Sequence, residues 1–200
     1  MTTSSPNTPP DRSAAELPEQ HPSAALGAAV PGSCIVVFLG DSITAGGRWD
    51  LLFPGIPSAN FGVNGDHTHQ VLSRLAPIIR LKPAKLFLLI GTNDLGGGIV
   101  EDTTVANVAK ILDQLQSALP RCRIHLQTVL PREAEYTARV QSLNQRYAQL
   151  AQAKRVVLID LFPLFDDGHG KLRPDLTDDG LHLLGAGYDV WRAAIAPYVL

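Results

Sequence analysis

Leu86-Phe87-Leu88-Leu89-Ile90 is a run of five apolar residues with no polar position in it. A strand with one wet face alternates apolar and polar side chains. An unbroken run of this length therefore reads as a strand covered on both faces, as in a parallel sheet. Four more segments read as strands: Cys34–Leu39, Ser58–Val63, Ile124–Val129 and Val156–Ile159. Between them the periodicity becomes helical. Thr68 can cap a helix carrying Val71, Leu72 and Leu75, which Pro77 breaks or restarts. Thr103 or Thr104 opens a helix with Val105, Val108, Ile111, Leu112 and Leu115 on one face. Tyr136, Val140, Leu143, Tyr147 and Leu150 repeat that spacing, and Val190, Trp191, Ala194, Ile195 and Tyr198 mark a terminal helix. Trp49, Leu51, Leu52 and Phe53 suggest a short helix or loop. Strands alternating with helices predict an α/β domain, a three-layer α/β/α sandwich on about five parallel strands with right-handed crossovers.

The 200 residues suffice for one domain with a real core. That domain is expected over residues 32–200. Residues 1–31 hold six of the fifteen prolines and no aromatic residue, so they predict a disordered or loosely docked tail. A net charge of −2 offers no basic footprint for nucleic acid. No apolar run is long enough for a transmembrane segment. Two cysteines, Cys34 and Cys122, make no disulfide framework. With no leader pattern at Met1–Pro10, the expectation is a cytoplasmic protein.

In an open parallel sheet, sites form beyond the carboxyl ends of the strands. Gly40-Asp41-Ser42-Ile43 follows the first strand and places a hydroxyl at the exit of a tight turn. Asn60-Phe61-Gly62 closes the second, Gly91-Thr92-Asn93-Asp94 the third, and Asp179-Gly180-Leu181-His182 precedes the last helix. Acyl transfer to serine needs a base, a carboxylate to orient the base, and donors aimed at the oxyanion. Ser42, His182 and Asp179 can fill the first three roles. The backbone N–H groups of Ser42 and Gly62 and the Asn93 amide can supply the donors. Glycine lets a backbone approach a reacting group closely, and an amide donates without titrating.

These four blocks, in this order, resemble the SGNH (GDSL-type) hydrolases. The stretches Asn60–Leu75 and Leu181–Tyr188 are particularly similar to the platelet-activating-factor acetylhydrolase-like branch. The resemblance implies a flavodoxin-like domain and a serine esterase acting on a small acyl ester, an acetyl ester among them. No metal or other cofactor is implied. Ser42 would be nucleophile, His182 base and then acid, and Asp179 the orienting carboxylate. The branch includes homodimers. Lysophospholipase, thioesterase and carbohydrate O-deacetylase chemistry would use the same residues, and an inactive binding module is the reading from another class. One position departs from the pattern. Leu184 stands where the family often has a polar residue that caps the final helix.

The remaining polar residues have competing readings. Asp41, Trp49 and Asp94 flank the machinery as candidates for substrate binding. Bracing of the local turn is the alternative for the two acids, and packing for Trp49. Asp178 competes with Asp179, but only Asp179 has the three-residue offset to the histidine. His67 and His69 stand close to the expected site, where they can shape a pocket. At i, i+2 they point apart, which argues against a metal pair. Gly96-Gly97-Gly98 lacks the Lys-Ser/Thr of a phosphate loop and reads as a mobile loop at the cleft.

Overall fold

A computed structural model describes residues 35–200; Cys34, His21 and the tail read over 1–31 lie outside the described residues. Five strands form one parallel sheet: β1 (Val36–Gly40), β2 (Ser58–Gly62), β3 (Lys85–Leu89), β4 (Arg123–Gln127) and β5 (Val157–Ile159). Their spatial order is β2-β1-β3-β4-β5. All five expected strands are present, with ends shifted by one or two residues. The order is the flavodoxin-like one, in which the chain reverses direction across the sheet between β1 and β3.

Alternation along each strand sends neighbours to opposite faces. Val37, Leu39, Leu86 and Leu88 pack into one apolar layer, and Val36, Phe38, Phe87 and Leu89 into the other. The first layer is closed by α3 (Thr68–Ser73), α4 (Ala76–Leu81), α6 (Glu101–Ala118) and α7 (Thr137–Lys154). The second is closed by α2 (Trp49–Leu52), α8 (Phe162–Phe165) and α9 (Gly185–Val199). Two short helices, α1 (Ser42–Ala45) and α5 (Thr92–Gly96), follow directly on β1 and β3. They carry Ser42 and Asn93, two of the expected site residues.

Several helix starts differ from expectation. Thr68 is the first residue of α3, not its cap. Its N–H donates to Asp94 Oδ2 (2.9 Å) and its hydroxyl to Asp94 Oδ1 (2.5 Å), so a carboxylate from α5 satisfies this helix end. Pro77 restarts the helix, occupying the first turn of α4 where its missing N–H costs nothing. Helix α6 begins at Glu101, earlier than Thr103, with Glu101 and Asp102 in its first turn. Gly96 ends α5, so only part of the glycine run is loop. Leu184 is the N-cap of α9 and provides no side-chain hydrogen bond.

Candidate active site

Helix α1 starts at the residue after the β1 turn, which puts Ser42 at the carboxyl edge of the sheet. Asp41 caps it, its Oδ1 accepting from the Ile43 N–H at 3.0 Å. The Ser42 Oγ lies 2.9 Å from His182 Nε2, although the two residues are 140 positions apart. His182 Nδ1 lies 2.7 Å from Asp179 Oδ2. Because the carboxylate can only accept, Nδ1 carries the proton and Nε2 is left to accept from the serine hydroxyl. Asp179 Oδ1 also accepts from the N–H groups of Leu181 (2.9 Å) and His182 (2.7 Å) and from Thr177 Oγ1 (3.3 Å). The ring hydrogen bond from His182, then the backbone donors, hold the Asp179 carboxyl well below the usual carboxylate range. It therefore stays anionic. The short Asp179–His182 segment folds back on itself through Gly180, whose φ of +79° suits glycine.

The three expected oxyanion donors stand at the carboxyl ends of three different strands, β1, β2 and β3. The Ser42 N–H belongs to the first turn of α1, where no helical acceptor exists. Gly62 ends β2 hard against the backbone of Thr44 and Ala45, and a β-carbon there would overlap both. Its N–H donates to Asn60 Oδ1 at 2.9 Å. Asn60 is itself pinned, its amide donating to the carbonyls of Thr44 (3.1 Å), Ala45 (3.0 Å) and Gly47 (3.1 Å). Asn93 Nδ2 donates to the Asp66 carbonyl at 2.9 Å, which leaves its second amide hydrogen for another acceptor.

Residues 38–190 match the model of the GDSL-like lipase/acylhydrolase family. The chain belongs to that family. It is 28% identical over 164 residues to the platelet-activating factor acetylhydrolase IB subunit alpha1 of Pongo abelii, spanning 76% of this chain and 70% of that protein. A GDSL-like lipase from Bacteroides thetaiotaomicron superposes with a TM-score of 0.73 at 29% identity, over 85% of this chain and 89% of its own. An acetylxylan esterase from Geobacillus stearothermophilus shares the fold, with a TM-score of 0.70 at 19% identity over 82% and 93% of the two chains. Membership of that family makes the protein a hydrolase.

The flanking residues of this acylhydrolase sit deeper than substrate contact requires. Trp49 is 2% exposed, stacked on Phe38 at 3.9 Å and met edge-on by Trp191 at 4.9 Å. Its Nε1–H donates to the Thr44 carbonyl. The indole is core, which corrects the substrate-binding reading for Trp49. Asp94 is fully buried and reaches across to Thr68, so it ties α5 to α3 and does not brace its own turn. Asp41 is buried too, and burial, opposed by the Ile43 N–H, pushes its carboxyl up to about 7.

His67 and His69 stand 5.7 Å apart between ring centroids, and His67 Nδ1 pairs with Gln70 Oε1. Among the described residues no group of three potential ligands gathers around a metal position. His125 lies inside β4, stacked on Phe87 at 4.4 Å. A cavity of about 550 Å³ opens at the opposite edge of the sheet, between Lys85, His125, Arg155 and Tyr198. It is remote from Ser42.

Sequence reasoning missed the supporting roles of four residues. Arg74 and Tyr188 occupy helix faces whose pattern announces nothing. Tyr188 donates from α9 to the Ile43 carbonyl at 2.8 Å, and burial pushes its phenol up to about 12. Arg132 is buried, donating to the Thr92 carbonyl at 2.9 Å while its Nε pairs with Glu133 at 2.7 Å. For Asn60 there was a signal: an Asn two residues before Gly can accept from the glycine's N–H.

Proposed function

We propose that the protein is a serine esterase that hydrolyses a small acyl ester, an acetyl ester first among them, through an acyl-enzyme on Ser42. The observation that carries this reading is the unbroken hydrogen-bonded chain Ser42 Oγ–His182 Nε2–Asp179. His182 takes the hydroxyl proton as Oγ attacks the ester carbonyl. Asp179 keeps Nδ1 protonated and stabilises the imidazolium. Negative charge on the former carbonyl oxygen is met by the Ser42 N–H and Asn93 Nδ2, and by the Gly62 N–H, whose single hydrogen Asn60 Oδ1 accepts in the resting fold and must share with the oxyanion. The tetrahedral intermediate collapses, the C–O bond breaks, and the leaving alcohol oxygen takes the proton from His182. Water then repeats the sequence against the acyl-enzyme, with His182 again the base, and releases the carboxylic acid.

Acetyl is preferred because both the acetylhydrolase subunit and the acetylxylan esterase carry acetyl chemistry in their names. Lysophospholipids, acyl thioesters and acetylated sugars complete the substrate range to be compared. The reading also keeps a cytoplasmic setting. Among the described residues Cys122 is unpaired, and burial pushes its thiol up to about 11, which keeps it a poor nucleophile.

An organophosphorus serine probe should label Ser42, and Ser42→Ala should abolish the label; labelling at another residue defeats the assignment. Ser42→Ala and His182→Ala should each remove most turnover of p-nitrophenyl acetate, by roughly 10⁴-fold or more. Their double variant should be little worse than either, because the groups act as one unit. Multiplying losses would mean that the two residues serve separate mechanisms.

A further inference from the structure

Three loops have to be held in register for three donors to converge, and one guanidinium touches the supports of all of them. Arg74, at the end of α3, donates from Nε to Asp66 Oδ2 at 2.6 Å. Its Nη2 donates to the carbonyls of Gly40 (3.0 Å) and Phe61 (2.9 Å). Both side chains of the ion pair are largely buried, 22% exposed for Arg74 and 6% for Asp66.

Each contact bears on a different arm. The Phe61 carbonyl belongs to the same planar trans peptide as the Gly62 N–H, so fixing the oxygen fixes the direction of the hydrogen. A cation on that oxygen also polarises the peptide, which makes its N–H a stronger donor. The Gly40 carbonyl ends β1, two residues before the Ser42 N–H. Asp66, held through its carboxylate, offers its backbone carbonyl to Asn93 Nδ2 at 2.9 Å and so orients the third arm. Lysine could not replace this fork, because a point charge on a flexible stem does not serve three oxygens in a fixed plane.

We propose that Arg74 is the positioning residue of the oxyanion hole, with Asp66 as its relay to Asn93. The inference rests on the esterase reading above. It predicts a loss confined to the transition state, since the oxyanion exists only there.

The test uses the full chain with p-nitrophenyl acetate and the matching thionoester, whose sulfur is a larger and weaker hydrogen-bond acceptor. Arg74→Met should lower kcat by about 10²-fold with KM changed less than about threefold. Arg74→Lys, which keeps charge and most of the stem, should lose about tenfold. Both variants, and Asp66→Asn, should narrow the preference for ester over thionoester toward that of Asn93→Ala. The double variant Arg74→Met/Asn93→Ala should lose less than the product of its parents. If Arg74→Met does not fold by far-UV circular dichroism, Arg74→Lys decides. Retained kcat, or multiplicative losses with a wild-type ester-to-thionoester preference, overturn the proposal. Wild-type protein without Ser42-dependent hydrolysis would instead remove the esterase reading itself.

Discussion

Asp41 stands one residue before the proposed nucleophile with almost no water around its carboxyl. Burial raises its folded-state value from the ordinary 3.8 to about 7, against the opposing pull of the Ile43 N–H and of nearby His182. The sign of the linkage follows. A carboxyl that holds its proton more tightly when folded favours folding most below about 4, where both states are protonated without cost. That contribution declines as pH rises to about 7 and is constant above. Asp41→Asn keeps a good helix cap but removes the titration. Urea unfolding at a series of pH values should therefore show wild type losing stability relative to Asp41→Asn between about pH 4 and 7. A difference independent of pH would mean that Asp41 is ionised as readily in the fold as outside it. The sequence marked this residue as adjacent to the chemistry. It could not mark its desolvation, which the fold creates, or the Asp66 carboxylate that lies near enough to raise the value further.

At the scale of elements, legibility followed the source of stability. The strands could be read because their apolar runs answer to burial on both faces, and α6 and α7 because a long stripe faces one layer. Helices α5 and α8 escaped notice. Each is only a turn long, and tertiary contacts decide such elements more than periodicity does. The four chemical blocks were legible as motifs, whereas the hydrogen bonds that hold them, from Arg74, Asn60 and Arg132, run between segments with no local pattern. Helix α9 shows both sides. Its apolar stripe is plain, and its start at Leu184 lacks the side-chain acceptor that a polar residue would give the first-turn N–H groups. Leu184 is 37% exposed, so little packing is lost by replacing it. Leu184→Ser should stabilise the protein by about 0.5–1 kcal/mol, read as a higher urea midpoint with an unchanged m-value. An unchanged or lower midpoint would show that the leucine's packing outweighs the missing cap.

The whole molecule brings together a serine from the short helix after β1 and a histidine from the loop before α9, and α9 is the element that connects their environments. Trp191 is fully buried in it, meeting Trp49 edge-on and donating to Gln127 Oε1 of β4 at 2.7 Å. Tyr188, one turn earlier, holds the Ile43 carbonyl of α1. The layer of α3, α4, α6 and α7 has its own core on the other face of the sheet and does not depend on these contacts. Trp191→Ala should cost about 3–5 kcal/mol through the cavity and the orphaned Gln127 carbonyl. The loss should also be uneven. Helix α9 and the Asp179–His182 segment before it are released first, while the sheet and its opposite layer stay paired. In Trp191→Ala, hydrolysis should therefore vanish at a lower urea concentration than far-UV ellipticity, whereas in wild type the two transitions coincide. Coincident transitions in the variant would mean that the two layers unfold as one unit, and that the proposed triad is only as separable from the fold as the sheet itself.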